Sequence, residues 1–203
     1  MAMQEAVSTP VDEHYTSTGL NSTKIAMWAF LGSECLFFGS FITTYLLYRN
    51  NVSSGPKPHE IYDIPYTSVS SFVLLMSSLT MVLALNAIQK GDYGGLRVWL
   101  LATAFLGMVF IGGQVYEFTT FVEEGLTLST SNFGSAFFVL TGFHGAHVTV
   151  GILMLLSLVG FSLAGRLQTE DSLKVEMVGL YWHFVHIVWI VIFTVVYLIP
   201  TNS

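Results

Sequence analysis

Residues 132–165 read NFGSAFFVLTGFHGAHVTVGILMLLSLVGFSLAG, without one Asp, Glu, Lys or Arg. The charge-free run extends back to Gly125. An α-helix rises ~1.5 Å per residue, and the ~30 Å hydrocarbon layer needs about 20 apolar residues to cross. The run therefore holds one tilted span and a polar lead-in, Thr127 to Asn132; it is too short for two spans and a turn. Inside it sit His144 and His147. Ionisable groups at membrane depth are costly, and they mark ion paths, ligands or packed polar networks.

The composition around this run agrees with a membrane solvent. Of 203 residues, 53% are hydrophobic and 10% charged, with a mean hydropathy of +0.65. A soluble domain carries roughly 25% charged residues, so the chain reads as an integral membrane protein. Seven Lys and Arg against thirteen Asp and Glu leave a net charge of -6. That excludes nucleic acid as a partner, since nothing neutralises phosphates in bulk. The single cysteine, Cys35, rules out a disulfide framework or a CxxC metal site and reads as a buried thiol. Residues 1–23 are polar and acidic, without the basic start and short apolar core of a cleavable signal, and read as a flexible segment.

Charge-free windows place four more helices. The expected spans are 25–48, 67–89, 96–117, 133–160 and 176–198, where Pro200 stops the last. The fold class is all-α: a polytopic five-helix bundle forming one transmembrane domain over residues 24–203. Lys24, Lys90, Arg97, Arg166 and Lys174 fall on one side, and only Arg49 and Lys57 on the other. The positive-inside rule then puts the N-terminus inside and the C-terminus outside. Gly107, Gly112, Gly113, Gly142, Gly145 and Gly151 mark close helix approach in spans three and four, and Ser77, Ser78 and Thr80 form a polar patch on span two. Trp28, Trp182, Tyr48, Tyr116 and Tyr197 lie near span ends and read as interface anchors.

Five ionisable side chains remain inside the spans: Glu34, His144, His147, His183 and His186. From helix rise, Glu34 lies about 14 Å into the membrane, at a depth similar to His147, His183 and His186. Each histidine pair is spaced i, i+3, so both members project from nearly one helix face. Such an array suits a metal or an axially ligated haem, which would make the chain a stand-alone enzyme. A small proton-coupled transporter using Glu34 is a third reading, opposed by the lack of an internal repeat or broken helices. The plainest reading has imidazoles bonding across helices to Glu34, to hydroxyls and to carbonyls, with no metal and no catalytic residue.

The sequence also resembles a known family. WAFLGSECLFFGSFITTYLLY (28–48), QVYEF (114–118), SAFFVLTGFHGAHVTVG (135–151) and YWHFVHIVWIVIFTVVYL (181–198) are similar, in order and spacing, to the helices of haem–copper oxidase subunit III. The five spans look like the short bacterial form. The resemblance implies a non-catalytic subunit of a proton-pumping terminal oxidase (cytochrome c oxidase or quinol oxidase) that reduces oxygen to water in the bacterial plasma membrane. It implies that haem and copper reside in subunits I and II rather than here. It implies subunit I as the main contact, subunit II and a small subunit IV as further partners, and bound phospholipid. In this family the subunit sustains proton uptake and protects against inactivation during turnover. Glu34 matches the buried carboxylate that reacts with carbodiimides, and His144, His147 and His183 match polar packing residues.

One position departs from the family pattern: His186 stands where Asp is usual in WHFxDxVW. Beyond the spans, Glu117, Glu123 and Glu124 form an acidic loop after span three. They are expected to be solvated, or to form a rim contact with subunit I or a basic donor domain.

Overall fold

Three helices start at side-chain caps visible in the sequence, and three stop at glycines. The computed structural model describes residues 21–49, 64–129 and 131–199. Helix α1 (Ser22–Tyr48) begins where the Asn21 side-chain oxygen accepts from the Thr23 amide at 2.9 Å. Helix α2 covers Ile64–Gln89. Asp92 caps α3 (Tyr93–Glu123) by accepting from the Gly95 amide at 2.9 Å. Ser131 caps α4 (Asn132–Leu163) through the Gly134 amide at 3.1 Å. A 3-10 turn, Thr169–Asp171, leads into α5 (Ser172–Phe193), which continues as a π-helical turn over Thr194–Leu198. Gly91, Gly125 and Gly165, just beyond α2, α3 and α4, have φ of 74°, 92° and 67°. That left-handed backbone ends a helix at no steric cost only when no Cβ is present.

Among the described residues, five helices are long and apolar enough to cross a membrane. The expected segment 1–23 falls mostly outside the described residues, as do Lys57 and Pro200. Helices α2, α3 and α4 pack in sequence, and α5 returns against α2 and α4. Helix α1 packs on α4 and α5. Its buried residues, Leu31, Phe38 and Tyr45, recur every seventh position as one narrow stripe. Only 11% of its apolar window is covered, against 50% for α5, so α1 lies at the edge and α5 at the centre.

Two glycines shape that centre. A Cβ on Gly107 or on Gly151 would lie 2.7 Å from the Trp182 ring, so the indole occupies a slot left open by α3 and α4. Gly145 approaches Gln114, and Gly113 approaches Tyr66 and Ser70, whereas nothing faces Gly112 or Gly142 within 4 Å. The anchor reading therefore divides. Trp28, Tyr48 and Tyr116 are exposed, but Trp182 and Tyr197 are buried. Helix α5 begins at Ser172, about three turns before Trp182, which carries the ring into the core. Cys35 is exposed rather than buried, because only the seven-residue stripe of α1 faces the bundle.

Candidate functional site: the intramembrane polar network

The seam between α2 and α5 is built from hydroxyls meeting indoles and imidazoles. Ser77 Oγ donates to the Leu74 carbonyl of its own helix at 2.6 Å. Its lone pairs are then left for Trp182 Nε1 at 3.1 Å and His186 Nε2 at 2.9 Å. The His186 ring nitrogens also reach the Trp182 and Leu74 carbonyls. The next residue of α2, Ser78, bonds His183 Nδ1 through its Oγ at 2.8 Å. Toward the other end, Trp189 Nε1 donates to Ser71 Oγ at 2.8 Å. The Ser patch read from the sequence is thus the α2 side of this seam. Thr80 joins α2 to α3 instead, through Thr103 at 2.7 Å.

A second cluster ties α1 to α4 and α5. Glu34 Oε2 lies 3.2 Å from His147 Nε2. His147 Nδ1 donates to the Phe143 carbonyl at 2.7 Å, which fixes the ring orientation. Tyr181 donates to the His147 carbonyl at 3.1 Å. Of the three imidazoles that depth alone offers Glu34, His147 is the one it meets, since Ser78 takes His183 and Ser77 takes His186. The Phe38 ring packs 4.9 Å from the His147 ring and shields the pair. At the Lys24 end, Lys24 Nζ meets Glu176 Oε1 at 2.7 Å, joining α1 to α5 again.

A third cluster differs from expectation. Glu117 belongs to α3 and is buried, 7% exposed; it is no loop carboxylate. It accepts from Thr67 Oγ1 at 2.7 Å and from Tyr197 at 3.1 Å. A span boundary drawn at the first charge stops at Glu117, but a carboxylate with donors inside the bundle can continue the helix. It runs on to Glu123, more than a turn further. Glu123 and Glu124 are exposed at that end, so two of the three acidic side chains remain at the surface. The clue missed in the sequence is the pair of donors, Thr67 and Tyr197, at matching depth on neighbouring spans.

His144 and Gln114 sit between these clusters. Gln114 Nε2 donates to the Thr141 carbonyl at 2.7 Å. His144 is fully buried, stacked on Trp189 at 4.9 Å, with Phe110 and Phe38 edge-on at 6.0 and 6.4 Å. The four intramembrane histidines therefore face four different surroundings. Among the described residues, no three His, Cys, Asp or Glu side chains form a group able to hold a metal ion. What the arrangement does chemically is lock helices together by side-chain hydrogen bonds.

Comparison with known proteins gives this architecture a family. The chain is 38% identical to cytochrome c oxidase subunit 3 of Bacillus sp. (strain PS3), over 86% of this chain and 84% of that one. It is 37% identical to quinol oxidase subunit 3 of Bacillus subtilis (strain 168), over 92% and 91% of the two chains. It is 38% identical to cytochrome bo(3) ubiquinol oxidase subunit 3 of Pseudomonas aeruginosa, over 92% and 88%. The family description "Cytochrome c oxidase subunit III" matches residues 4–200. With that extent of agreement, the chain belongs to the cytochrome c oxidase subunit III family.

Proposed function

We propose that the chain is the non-catalytic third subunit of a proton-pumping haem–copper terminal oxidase in a bacterial plasma membrane, docked on subunit I. Subunit II and a small subunit IV are its other companions, and haem and copper belong to subunits I and II. The observation that carries this reading is the destination of the intramembrane polar groups. His147, His183 and His186 each bond a neighbouring helix, a pattern suited to a rigid companion and not to a redox centre. The distribution of Lys and Arg supports an N-terminus on the inner side. Relatives bearing cytochrome c and quinol oxidase names match at nearly equal identity, in keeping with a donor site on other chains.

Two apolar grooves flank α1, about 500 Å³ beside α5 and about 480 Å³ beside α4. They suit phospholipid acyl chains, which completes the proposed set of partners. Native purification through a tag on this chain tests the reading. The expected eluate carries haem and copper on companion subunits, with neither on the tagged chain once separated. A chain that purifies alone with its own haem spectrum would sink the proposal.

Glu34→Gln tests whether the Glu34–His147 pair has more than a packing role. Glutamine keeps the shape and still reaches His147, so the complex is expected to assemble and consume oxygen at close to the parental rate. Progress curves that stop early in a fully metallated complex, or slowed proton uptake in vesicles, would instead assign Glu34 to proton handling.

A further inference from the structure

Three buried polar atoms have no hydrogen-bond partner among the described residues: Gln114 Oε1, His144 Nδ1 and His144 Nε2. They belong to two side chains in the same α3–α4 contact. Gln114 is tied to the Thr141 carbonyl, one turn of α4 before His144. Phe110, one turn of α3 before Gln114, meets the His144 ring edge-on. A Cβ on Gly145 would lie 2.8 Å from Gln114 Oε1, so the missing side chain next to His144 in sequence is what leaves room for the amide oxygen. Gln114 is 6% exposed and His144 is 0% exposed.

Buried side-chain polar atoms in folded proteins are overwhelmingly paired, and where protein supplies no partner an internal water does. A neutral imidazole offers one N–H and one lone pair, and an amide oxygen offers lone pairs only. Water, which both donates and accepts, can satisfy Gln114 Oε1 and one of the two His144 ring nitrogens together. We propose that Gln114 and His144 hold an ordered internal water, donating to Gln114 Oε1 and bonded to a His144 ring nitrogen. No ion is needed, because neither group carries a formal charge in this pairing.

The position of this water gives it a consequence. Along α4, His147, His144 and Thr141 follow at three-residue steps, and along α3 Gln114 precedes Glu117 by three. The Glu34–His147 cluster and the Glu117–Thr67–Tyr197 cluster are each bonded internally, and the unpartnered atoms fall in the interval between them. The water turns that interval from an apolar break into a polar step and cross-links α3 to α4.

The test is a density map of the intact oxidase, sharp enough to show internal waters, for the parent and for His144→Phe. Phenylalanine keeps the ring stacked on Trp189 and removes both nitrogens. The expected result is a water peak within hydrogen-bonding distance of Gln114 Oε1 and His144 in the parent, lost or displaced toward Gln114 in the variant. A dry contact in the parent overturns the proposal, as does a His144 ring turned onto a protein acceptor. A peak unmoved in His144→Phe overturns the role of His144. The parent map decides even if the variant fails to assemble.

Discussion

Trp182→Ala is expected to abolish or nearly abolish accumulation of the assembled oxidase. The indole is fully buried in the slot framed by Gly107 and Gly151, and its Nε1 donates to Ser77. Truncating a buried aromatic costs ~3–5 kcal/mol when the surroundings cannot collapse. Here two walls of the slot are the backbones at Gly107 and Gly151, which carry no side chain to move inward. Lipid tails solvate apolar surface as well as protein does, so helix association in a membrane depends more heavily on such contacts. Trp182→Phe keeps part of the ring and loses the N–H, and should give a milder loss of about 1–2 kcal/mol. Yield of intact complex and its melting midpoint measure both variants. An alanine variant that assembles and melts with the parent would show that the slot is not a principal contact.

Glu117→Ala should be the next most damaging change, at about 2–3 kcal/mol, because Thr67 and Tyr197 lose a buried acceptor together. Glu117→Gln retains one acceptor oxygen and should recover a large share of that loss. The comparison isolates hydrogen bonding from bulk. If alanine and glutamine behave alike, the carboxylate contributes charge or nothing, and the three-helix cluster is not what holds this end of the bundle. Thermal unfolding of the purified complex distinguishes these outcomes. Removing Glu123 or Glu124, which are exposed, should leave the midpoint unchanged.

The architecture was legible because lipid imposes a rule that a single sequence can express: about 20 apolar residues per crossing, with charges at the ends. The identities of the polar clusters were also visible, since Glu34 and the four histidines stand out against apolar neighbours. Their pairing was not. Depth left Glu34 with three candidate imidazoles, and only the rotation of α1 about its Leu31–Phe38–Tyr45 stripe selects His147. Glu117 was misplaced for a related reason. Charge marks a boundary only when no donor awaits it inside, and Thr67 lies 50 positions away in the chain. Trp182 shows the limit of the aromatic-belt rule: an indole near a span end can equally be a core residue if neighbouring helices offer glycines opposite it.

The edge position of α1 also sets a timetable for synthesis. This helix emerges before α2 to α5, yet its contacts are with α4 and α5. Helices α3 and α4 can zip against their immediate predecessors, α2 and α3, as they leave the ribosome. The first span has to wait in the bilayer, its Glu34 without His147, until more than a hundred further residues have been made. Until then the first span lacks the partners that cover its buried stripe in the finished bundle. A chain stopped before α5 would leave the first helix without the Lys24–Glu176 latch and the middle three already folded.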